Sequence, residues 1–250
     1  MRAPIVAAIQ YAPKLMDVNA NIQTAQQMSF EAAAKGASLV VLPELCTSGY
    51  ALQNKREAME CAQVKNGFQT EAFLPITKRF NTHIVLGYIE LFEGKLYNSA
   101  AVIGQNGVIS NVRKHNLWGP DQLWAEAAED MHPVVTTPVG RLGVLICRDV
   151  MNNYRDSYKF YRPEQRFYKA GSVDTIALLS NWGSDYGFPD SSWVELAEET
   201  RANVVVSNRV GEERDLKFKG GSVVIDRNKK IYSFGSSFTE AAVVGGIVVV

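Results

Sequence analysis

The sequence predicts an α/β fold, because short runs of β-branched residues alternate along the chain with segments of helical periodicity. Two segments, AKGASLVVL and KAGSVDTIALL, share one pattern in which a helix ends at a glycine and an apolar run follows at once. The chain has 250 residues, of which 46% are hydrophobic and 21% are charged, so it can bury a large core. We expect a single domain over residues 1–250.

The elements can be placed in order along the chain. Apolar residues at helical spacing in NANIQTAQQMSFEAAAKG predict a helix with Asp17 or Asn19 as the N-cap and Gly36 as the stop, and the buried strand ASLVVL follows. A capping box of Ser192 and Glu195 predicts a later helix. Counting the final apolar segment 241–250, about ten strands are expected. Further strands are predicted at residues 83–89, 96–103, 107–112, 140–146 and 203–208.

The charge balance argues against a nucleic-acid or anionic-membrane partner. Lys and Arg total 26, as do Asp and Glu, so the formal net charge is +0. No long-range field would concentrate phosphate groups around such a chain. The segment 241–250 is also about half the length that a membrane-spanning helix needs. We therefore expect a small-molecule ligand.

The cysteines and the N-terminus favour a cytoplasmic protein. The apolar run at residues 4–9 is shorter than the apolar core of a signal peptide. Cys46, Cys61 and Cys147 are too few for a disulfide framework, and they lack the C-x-x-C spacing of a zinc site. A reducing compartment is the natural setting for such a chain.

Three predicted strands end at residues with reactive side chains. Cys147 follows RLGVLI, Glu44 follows the strand in VVLPELCTSGY, and Lys114 follows GVISNVR. Ligands of α/β proteins gather at strand ends, where a thiol can act as a nucleophile and a carboxylate as a base. Each residue alone is explained by an ordinary role, as a buried cysteine, a solvated glutamate or a surface lysine. The order Glu, Lys, Cys, with spacings of 70 and 33 residues, is harder to explain in that way.

This ordered set resembles the nitrilase superfamily of carbon-nitrogen hydrolases. The resemblance is carried by VVLPELCTSGY, YNSAAVIGQNGVISNVRKHNLWG and TPVGRLGVLICRD, and it continues through SNWG, ETRANVVVSNRVG and FKGGSVVIDRNKKI. It covers nearly the whole chain. It implies a four-layer α-β-β-α sandwich and a homo-oligomer, commonly built by pairing of the sandwiches.

The resemblance also implies roles for the site residues. Cys147 would attack an amide carbonyl or a nitrile carbon, and Glu44 would take the thiol proton and pass it to the departing nitrogen. Lys114 and the backbone amide of Arg148 would face the oxyanion. Asn181 and Trp182, which follow the strand TIALLS, would line the site. No metal or organic cofactor is needed, in agreement with the lack of metal-ligand spacing around His83, His115 and His132.

Two departures from the superfamily pattern are visible. Many members carry a second glutamate shortly after the lysine, whereas the ungapped register here falls on Gln122, with Asp121 beside it. Asp121 could serve with a shorter reach, while Gln122 would donate or accept hydrogen bonds without charge. About ten extra residues also follow Cys147, within the Tyr- and Arg-rich stretch 152–169. This stretch would be a lid or specificity loop, an oligomer contact, or a tolerated surface insertion.

The leading hypothesis is an amidase-type hydrolase of a small non-peptide amide or N-carbamoyl compound, which releases ammonia through a thioester. Nitrile hydrolysis is the nearest variant, because the same triad serves it. A non-catalytic binding protein of the same fold is the alternative from another class. Acyl transfer to an acceptor other than water is a third possibility, since it shares the thioester.

Overall fold

The computed structural model describes residues 3–153, 168–183, 190–235 and 239–247. Most of the predicted insertion 152–169 therefore lies outside the described residues. Over the described ranges the chain is mixed α/β, as the sequence predicts.

The helices and strands have the following bounds. The α-helices are α1 (Val18–Ala34), α2 (Lys55–Cys61), α3 (Phe68–Glu71), α4 (Leu74–Phe80) and α5 (Ser191–Thr200), and 3-10 helices span Gly119–Leu123 and Cys147–Asn153. The strands are β1 (Ile5–Gln10), β2 (Ala37–Val41), β3 (His83–Phe92), β4 (Lys95–Gly104), β5 (Gly107–Arg113), β6 (Val135–Thr137), β7 (Gly140–Ile146), β8 (Thr175–Ser180), β9 (Asn203–Asn208), β10 (Val210–Glu213), β11 (Leu216–Lys219), β12 (Val223–Ile225), β13 (Ile231–Phe234) and β14 (Ala241–Gly246).

Two six-stranded sheets are built on the same plan. The first has the order β14-β1-β2-β3-β4-β5, and the second has the order β13-β12-β9-β8-β7-β6. In each sheet three adjacent strands are parallel, β1, β2 and β3 in the first and β7, β8 and β9 in the second. Antiparallel strands flank these parallel strands on both sides. The strands β10 and β11 form a separate hairpin.

The sheets pack face to face, and helices cover their outer faces. Val85 of the first sheet and Val144 of the second lie in one core cluster, which also includes Trp193 of α5. On the far side of the first sheet, a second cluster joins strand residues to Ala25 of α1 and Ile76 of α4. The order of layers is therefore helix, sheet, sheet, helix, which confirms the predicted four-layer α-β-β-α sandwich.

The sequence patterns locate the long elements and miss the short ones. The described residues contain fourteen strands rather than about ten, because β6, β10, β11, β12 and β13 are only three or four residues long. Such segments are too short to show a period. The helices α2, α3 and α4, of seven residues or fewer, escape detection for the same reason.

One helix start differs from the prediction. In α1, Asp17 is the N-cap and accepts a hydrogen bond from the Ala20 amide at 3.2 Å. In α5, however, Asp190 rather than Ser192 is the N-cap, and it accepts from the Ser192 amide at 2.9 Å. The capping-box assignment was therefore wrong by two residues, because the Asp190 carboxylate reaches the first free amide of the helix.

No helix within the described ranges combines the length and the apolar character needed to cross a membrane.

Candidate active site

The three reactive residues predicted from the sequence meet where the two sheets face each other. Glu44 follows β2 and Lys114 follows β5 in the first sheet, while Cys147 follows β7 in the second. Lys114 Nζ lies 2.7 Å from Glu44 Oε1. Cys147 is close enough to both for each charge to shift the pKa of its thiol. The fold therefore joins residues that are far apart in the sequence.

Lys114 lies at the centre of a buried ion-pair network. Its ammonium donates to Glu44 Oε1 at 2.7 Å and to Asp121 Oδ2 at 2.6 Å, and all three side chains are fully buried. Burial by itself would lower the pKa of Lys114, but the Asp121 and Glu44 carboxylates raise it well above its ordinary value. The lysine is therefore an ammonium at any physiological pH.

Asn98, which sequence reasoning did not select, completes this network. Its Nδ2 donates to Glu44 Oε1 at 2.8 Å and to Asp121 Oδ2 at 3.3 Å, and its backbone carbonyl accepts from the Lys114 amide at 2.8 Å. Asn98 is a buried polar residue inside β4, in the segment LYNSAAVI. A side-chain amide inside a buried strand needs polar partners, so an asparagine in this apolar segment was the sequence signal for Asn98.

Cys147 lies on a strained turn. Cys147 begins the 3-10 helix Cys147–Asn153 with φ of 47°, and the residue is 5% exposed. Leu45, directly after Glu44, has the same left-handed φ of 47°. Positive φ at a residue with a side chain is costly and clusters at functional sites. In this protein positive φ occurs at Cys147 itself and at Leu45, the residue after Glu44, as well as at seven other non-glycine residues in the described part of the chain.

The pKa values in the site favour a base-assisted thiol. Burial raises the pKa of Cys147 to about 12, the Glu44 charge adds to that effect, and Lys114 opposes it. Burial also raises the pKa of Glu44, although the Lys114 ammonium counteracts the shift. The thiol is therefore protonated at neutral pH, and its neighbour is a stronger base than an ordinary carboxylate.

The backbone around Glu44 is held by close packing and by the second sheet. A Cβ on Gly87 of β3 would lie 2.5 Å from the Pro43 carbonyl oxygen and 2.9 Å from Glu44 Cα, so only glycine fits there. Asn181, which follows β8, donates from Nδ2 to the Glu44 carbonyl at 3.0 Å. Glycine inside the strand segment HIVLGYI was the sequence signal for this close approach.

A buried ion pair fixes the loop that follows Glu44. The Glu213 carboxylate accepts from the Tyr50 amide at 2.7 Å and from the Ala51 amide at 2.5 Å. Arg209 donates to the other Glu213 oxygen at 2.7 Å. The Tyr50 hydroxyl donates to the Trp118 carbonyl at 2.6 Å, so Tyr50 bridges the segments that follow Glu44 and Lys114.

A cleft of about 430 Å³ opens beside this network. It is lined by Tyr50, whose ring centroid is 6.0 Å from Lys114 Nζ, and by Asn181, which donates to the Glu44 carbonyl. The remainder of its wall includes Trp118, Pro120, Leu216 and Phe218. A small, partly apolar molecule fits a cleft of this size and lining.

In the part of the chain that the structure describes, no group of three or more His, Cys, Asp or Glu side chains could hold a metal ion. His132 is a buried core residue whose ring nitrogens lie 2.9 Å from the Val144 carbonyl oxygen and 3.1 Å from that of Arg113. The cysteines Cys46, Cys61 and Cys147 are all free.

Comparison with known proteins identifies the family. Residues 5–155 match the family model described as carbon-nitrogen hydrolase. The chain belongs to the carbon-nitrogen hydrolase family. It is therefore a member of the nitrilase superfamily and a carbon–nitrogen hydrolase enzyme. The non-catalytic alternative is not supported.

Relatives of this hydrolase include nitrilases and amidases. A nitrilase from Pyrococcus abyssi is 31% identical over 94% of this chain and 86% of its own length. An (R)-stereoselective amidase from Pseudomonas sp. is 27% identical over 77% of this chain and 67% of its own. The structural match to the solved amidase from Nesterenkonia sp. covers 98% of this chain and 90% of the amidase chain. Its TM-score is 0.81 and the sequence identity is 20%. That structural match concerns the fold alone.

Of the two residues that follow the predicted pattern of a second glutamate, Asp121 rather than Gln122 faces Lys114. Asp121 contacts Lys114 at 2.6 Å, whereas Gln122 is exposed and lies 3.4 Å from the Leu117 carbonyl oxygen. Both residues belong to the 3-10 helix Gly119–Leu123, in which neighbouring side chains point about 120° apart. Only one of them can face the lysine, and in this hydrolase it is the aspartate.

The other residues predicted to line the site, Arg148, Asn181 and Trp182, differ in what their side chains contact. The Arg148 guanidinium stacks on the ring of Trp118, with its Cζ 3.9 Å from the ring centroid, and Trp118 lines the cleft. Trp182 belongs to the hydrophobic core and packs edge-to-face on Trp193, with ring centroids 6.0 Å apart. Its indole nitrogen donates to Asp190 at 3.0 Å. The structure thus brings Asn181 to the network and directs the Trp182 ring towards α5.

Proposed function

We propose that this enzyme hydrolyses small non-peptide amides or N-carbamoyl compounds through a thioester on Cys147. The observation that carries the proposal is the buried Glu44–Lys114–Asp121 network beside a strained cysteine. A structural role does not account for burying two carboxylates, an ammonium and a thiol together, because desolvating charges is costly. A nucleophile that needs a base and an oxyanion site accounts for all four groups.

In the first half-reaction, Cys147 Sγ attacks the carbonyl carbon while Glu44 takes the thiol proton. The carbonyl oxygen becomes an oxyanion that faces the Lys114 ammonium and the backbone amide of Arg148. Glu44 then delivers its proton to the nitrogen, the carbon–nitrogen bond breaks, and ammonia or an amine leaves. The acyl group remains on sulfur as a thioester.

In the second half-reaction, Glu44 takes a proton from water, and the resulting hydroxide attacks the thioester carbon. The carbon–sulfur bond breaks, the acid leaves, and the proton returns to Cys147. The raised pKa of Glu44 suits a group that must accept and release a proton in each half-reaction. Water is the only co-reactant.

Asp121 fits the place of the second carboxylate in this mechanism. With Glu44 it raises the pKa of Lys114, so the ammonium stays charged even when Glu44 is protonated. Its negative charge also raises the pKa of Glu44. One side chain therefore supports both the oxyanion donor and the base.

The relatives support this substrate class. The (R)-stereoselective amidase from Pseudomonas sp. is 27% identical over 77% of this chain, and its name states an amidase activity. A second candidate, nitrile hydrolysis, is favoured by the 31% identity to the Pyrococcus abyssi nitrilase. The homo-oligomer that the resemblance implies stays a prediction, which light scattering on the purified protein would check.

The test is ammonia release from a panel of aliphatic amides, N-carbamoyl amino acids, ω-amides of dicarboxylates and nitriles. Cys147→Ala serves as the inactive variant and Cys61→Ala, at another buried free cysteine, as the matched control. We expect release with amides or carbamoyl compounds in the wild type and in Cys61→Ala only. Release from nitriles alone would favour the second candidate, and release that survives in Cys147→Ala would refute the mechanism. Product formation that requires an added amine or thiol would instead indicate acyl transfer.

A further inference from the structure

Asp149 links the segment after Lys114 to the turn of Cys147, and the mechanism above does not use it. It is fully buried and follows Cys147 by two residues, in the same 3-10 helix. Its Oδ1 accepts hydrogen bonds from the His115 amide at 3.1 Å and from the Asn116 amide at 2.8 Å. These are the two backbone amides directly after Lys114. One carboxylate oxygen therefore joins the turn that carries the thiol to the segment that carries the ammonium.

We propose that Asp149 is a positioning residue that clamps the chain after Lys114 to the turn of Cys147 and so sets the approach of the ammonium to the thiol. The inference rests on the proposed function, because the distance matters only if both groups act on one substrate. Asp149 reaches the reaction through the backbone and contacts neither reacting atom.

The surroundings of Asp149 argue against a role in stability alone. Its Oδ2 has no hydrogen-bond partner in the described part of the chain, and the nearest basic atom is His132 Nε2 at 3.9 Å. A buried carboxyl with an unpaired oxygen is costly, and a residue that served only packing would not retain it. The oxygen that does have partners is the one that reaches the Lys114 segment.

The charges around Asp149 identify the informative substitution. Burial raises the pKa of Asp149 to about 7, against the effects of the Asn116 and His115 amides and the Lys114 charge, while Glu44 adds to the rise. Tyr168 also faces Asp149. Burial lowers the pKa of His115, and it lowers the pKa of His132 to about 3. The neutral carboxyl is therefore populated near pH 7. Asparagine mimics that form and keeps a carbonyl oxygen for the two amides.

Asp226 provides a matched control. It is also buried, and its Oδ1 accepts from the Asn228 and Lys230 amides at 2.8 Å each, in the turn between β12 and β13. Asp226→Ala removes the same pair of hydrogen bonds from a turn outside the catalytic network. Any general cost of losing such a clamp therefore appears in this variant without a change at Cys147 or Lys114.

The experiment compares the kinetics of Asp149→Ala, Asp149→Asn and Asp226→Ala, normalised to the folded fraction. A displacement of about 1 Å in a catalytic group costs about 10²-fold in rate. We expect kcat to fall about 10²-fold in Asp149→Ala with KM nearly unchanged, and to fall by less than about 10-fold in Asp149→Asn. Asp226→Ala should retain the wild-type kcat. A wild-type kcat in Asp149→Ala, or equal losses in both Asp149 variants, would overturn the proposal.

Hydrogen exchange at the His115 and Asn116 amides gives a readout that does not depend on turnover. Protection should be lost in Asp149→Ala and kept in Asp149→Asn, and the rate of Cys147 alkylation by iodoacetamide should change only in the former. If the wild type turns over no substrate while protection follows this pattern, the proposed function fails but the clamp stands. If protection is the same in all variants, the clamp is refuted whatever the activity.

Discussion

Two of the buried acid–base clusters among the described residues differ in how completely their polar atoms are paired. In the Arg209–Glu213 cluster, one Glu213 oxygen accepts from Arg209 and the other from the Tyr50 and Ala51 amides. Arg209 also donates to the Pro13 carbonyl at 3.2 Å. Every carboxylate oxygen in this cluster has a partner.

The Glu44–Lys114–Asp121 cluster is incompletely paired by contrast. Glu44 Oε2 and Asp121 Oδ1 have no hydrogen-bond partner among the residues that the structure describes. Two carboxylates also share one ammonium, so the cluster carries an excess negative charge when both are ionised. The paired cluster is suited to holding a loop, and the unpaired one to exchanging a proton with a substrate.

Removing the proposed nucleophile should have the largest effect on activity. Cys147→Ala should lower kcat by at least about 10⁴-fold, because no other group in the network can form the thioester. The thermal midpoint should change little, since the side chain is small. Steady-state kinetics and calorimetry would check both results, and a folded variant with wild-type kcat would contradict the triad.

Lys114→Met should have the next largest effect. It keeps the length of the side chain and removes the ammonium, so the oxyanion loses a donor and kcat should fall about 10²- to 10³-fold. The two carboxylates would lose their shared partner, which would raise the pKa of Glu44 further. Single-turnover kinetics should therefore show slow acylation with an intact thiol, whereas fast acylation would exclude Lys114 from the oxyanion site.

Asp121→Asn should change the pH profile more than the rate. The Asp121 charge raises the pKa of Glu44, so its removal should lower that pKa. Because Glu44 must be ionised to take the thiol proton, the acid limb of kcat/KM should move to lower pH. The loss in kcat should be about 10-fold or less, since the asparagine still accepts from Lys114. An acid limb that stays in place would show that Asp121 does not act on Glu44.

Arg209→Met should have the smallest effect on the chemistry and a clear effect on stability. Removing one partner of a buried ion pair destabilises a protein by about 3 to 5 kcal/mol, because the other charge is left unpaired. Denaturant unfolding should show this loss, while kcat per folded molecule should stay within about 3-fold of the wild type. A loss of kcat as large as that of Lys114→Met would erase the distinction between the two clusters.

The sequence was most informative where a side chain ends a long strand. Glu44, Lys114 and Cys147 each follow an apolar run, so their convergence could be expected from the rule that ligands gather at strand ends. Asn98 and Asp149 could not be found in the same way. Asn98 lies within a strand, and the contacts of Asp149 are to backbone amides 33 and 34 residues away.

The choice between Asp121 and Gln122 also needed the structure. The two residues are adjacent, and only the direction in which the 3-10 helix turns decides which of them faces Lys114. Short elements such as this helix leave no periodicity in the sequence. The same limit explains the missed strands β10 and β11, whose hairpin carries Glu213 to the loop after Glu44.

Because the site lies between the two sheets, the reaction rate should be sensitive to how the hydrophobic core between the sheets is packed. Glu44 and Lys114 belong to one sheet and Cys147 to the other, so the interlayer core sets their separation. Val85 and Val144 lie in that core. A substitution there that lets one sheet slide by about 1 Å would leave the protein folded and still lower the rate about 10²-fold. Interior packing and the alignment of the three side chains thus depend on the same residues.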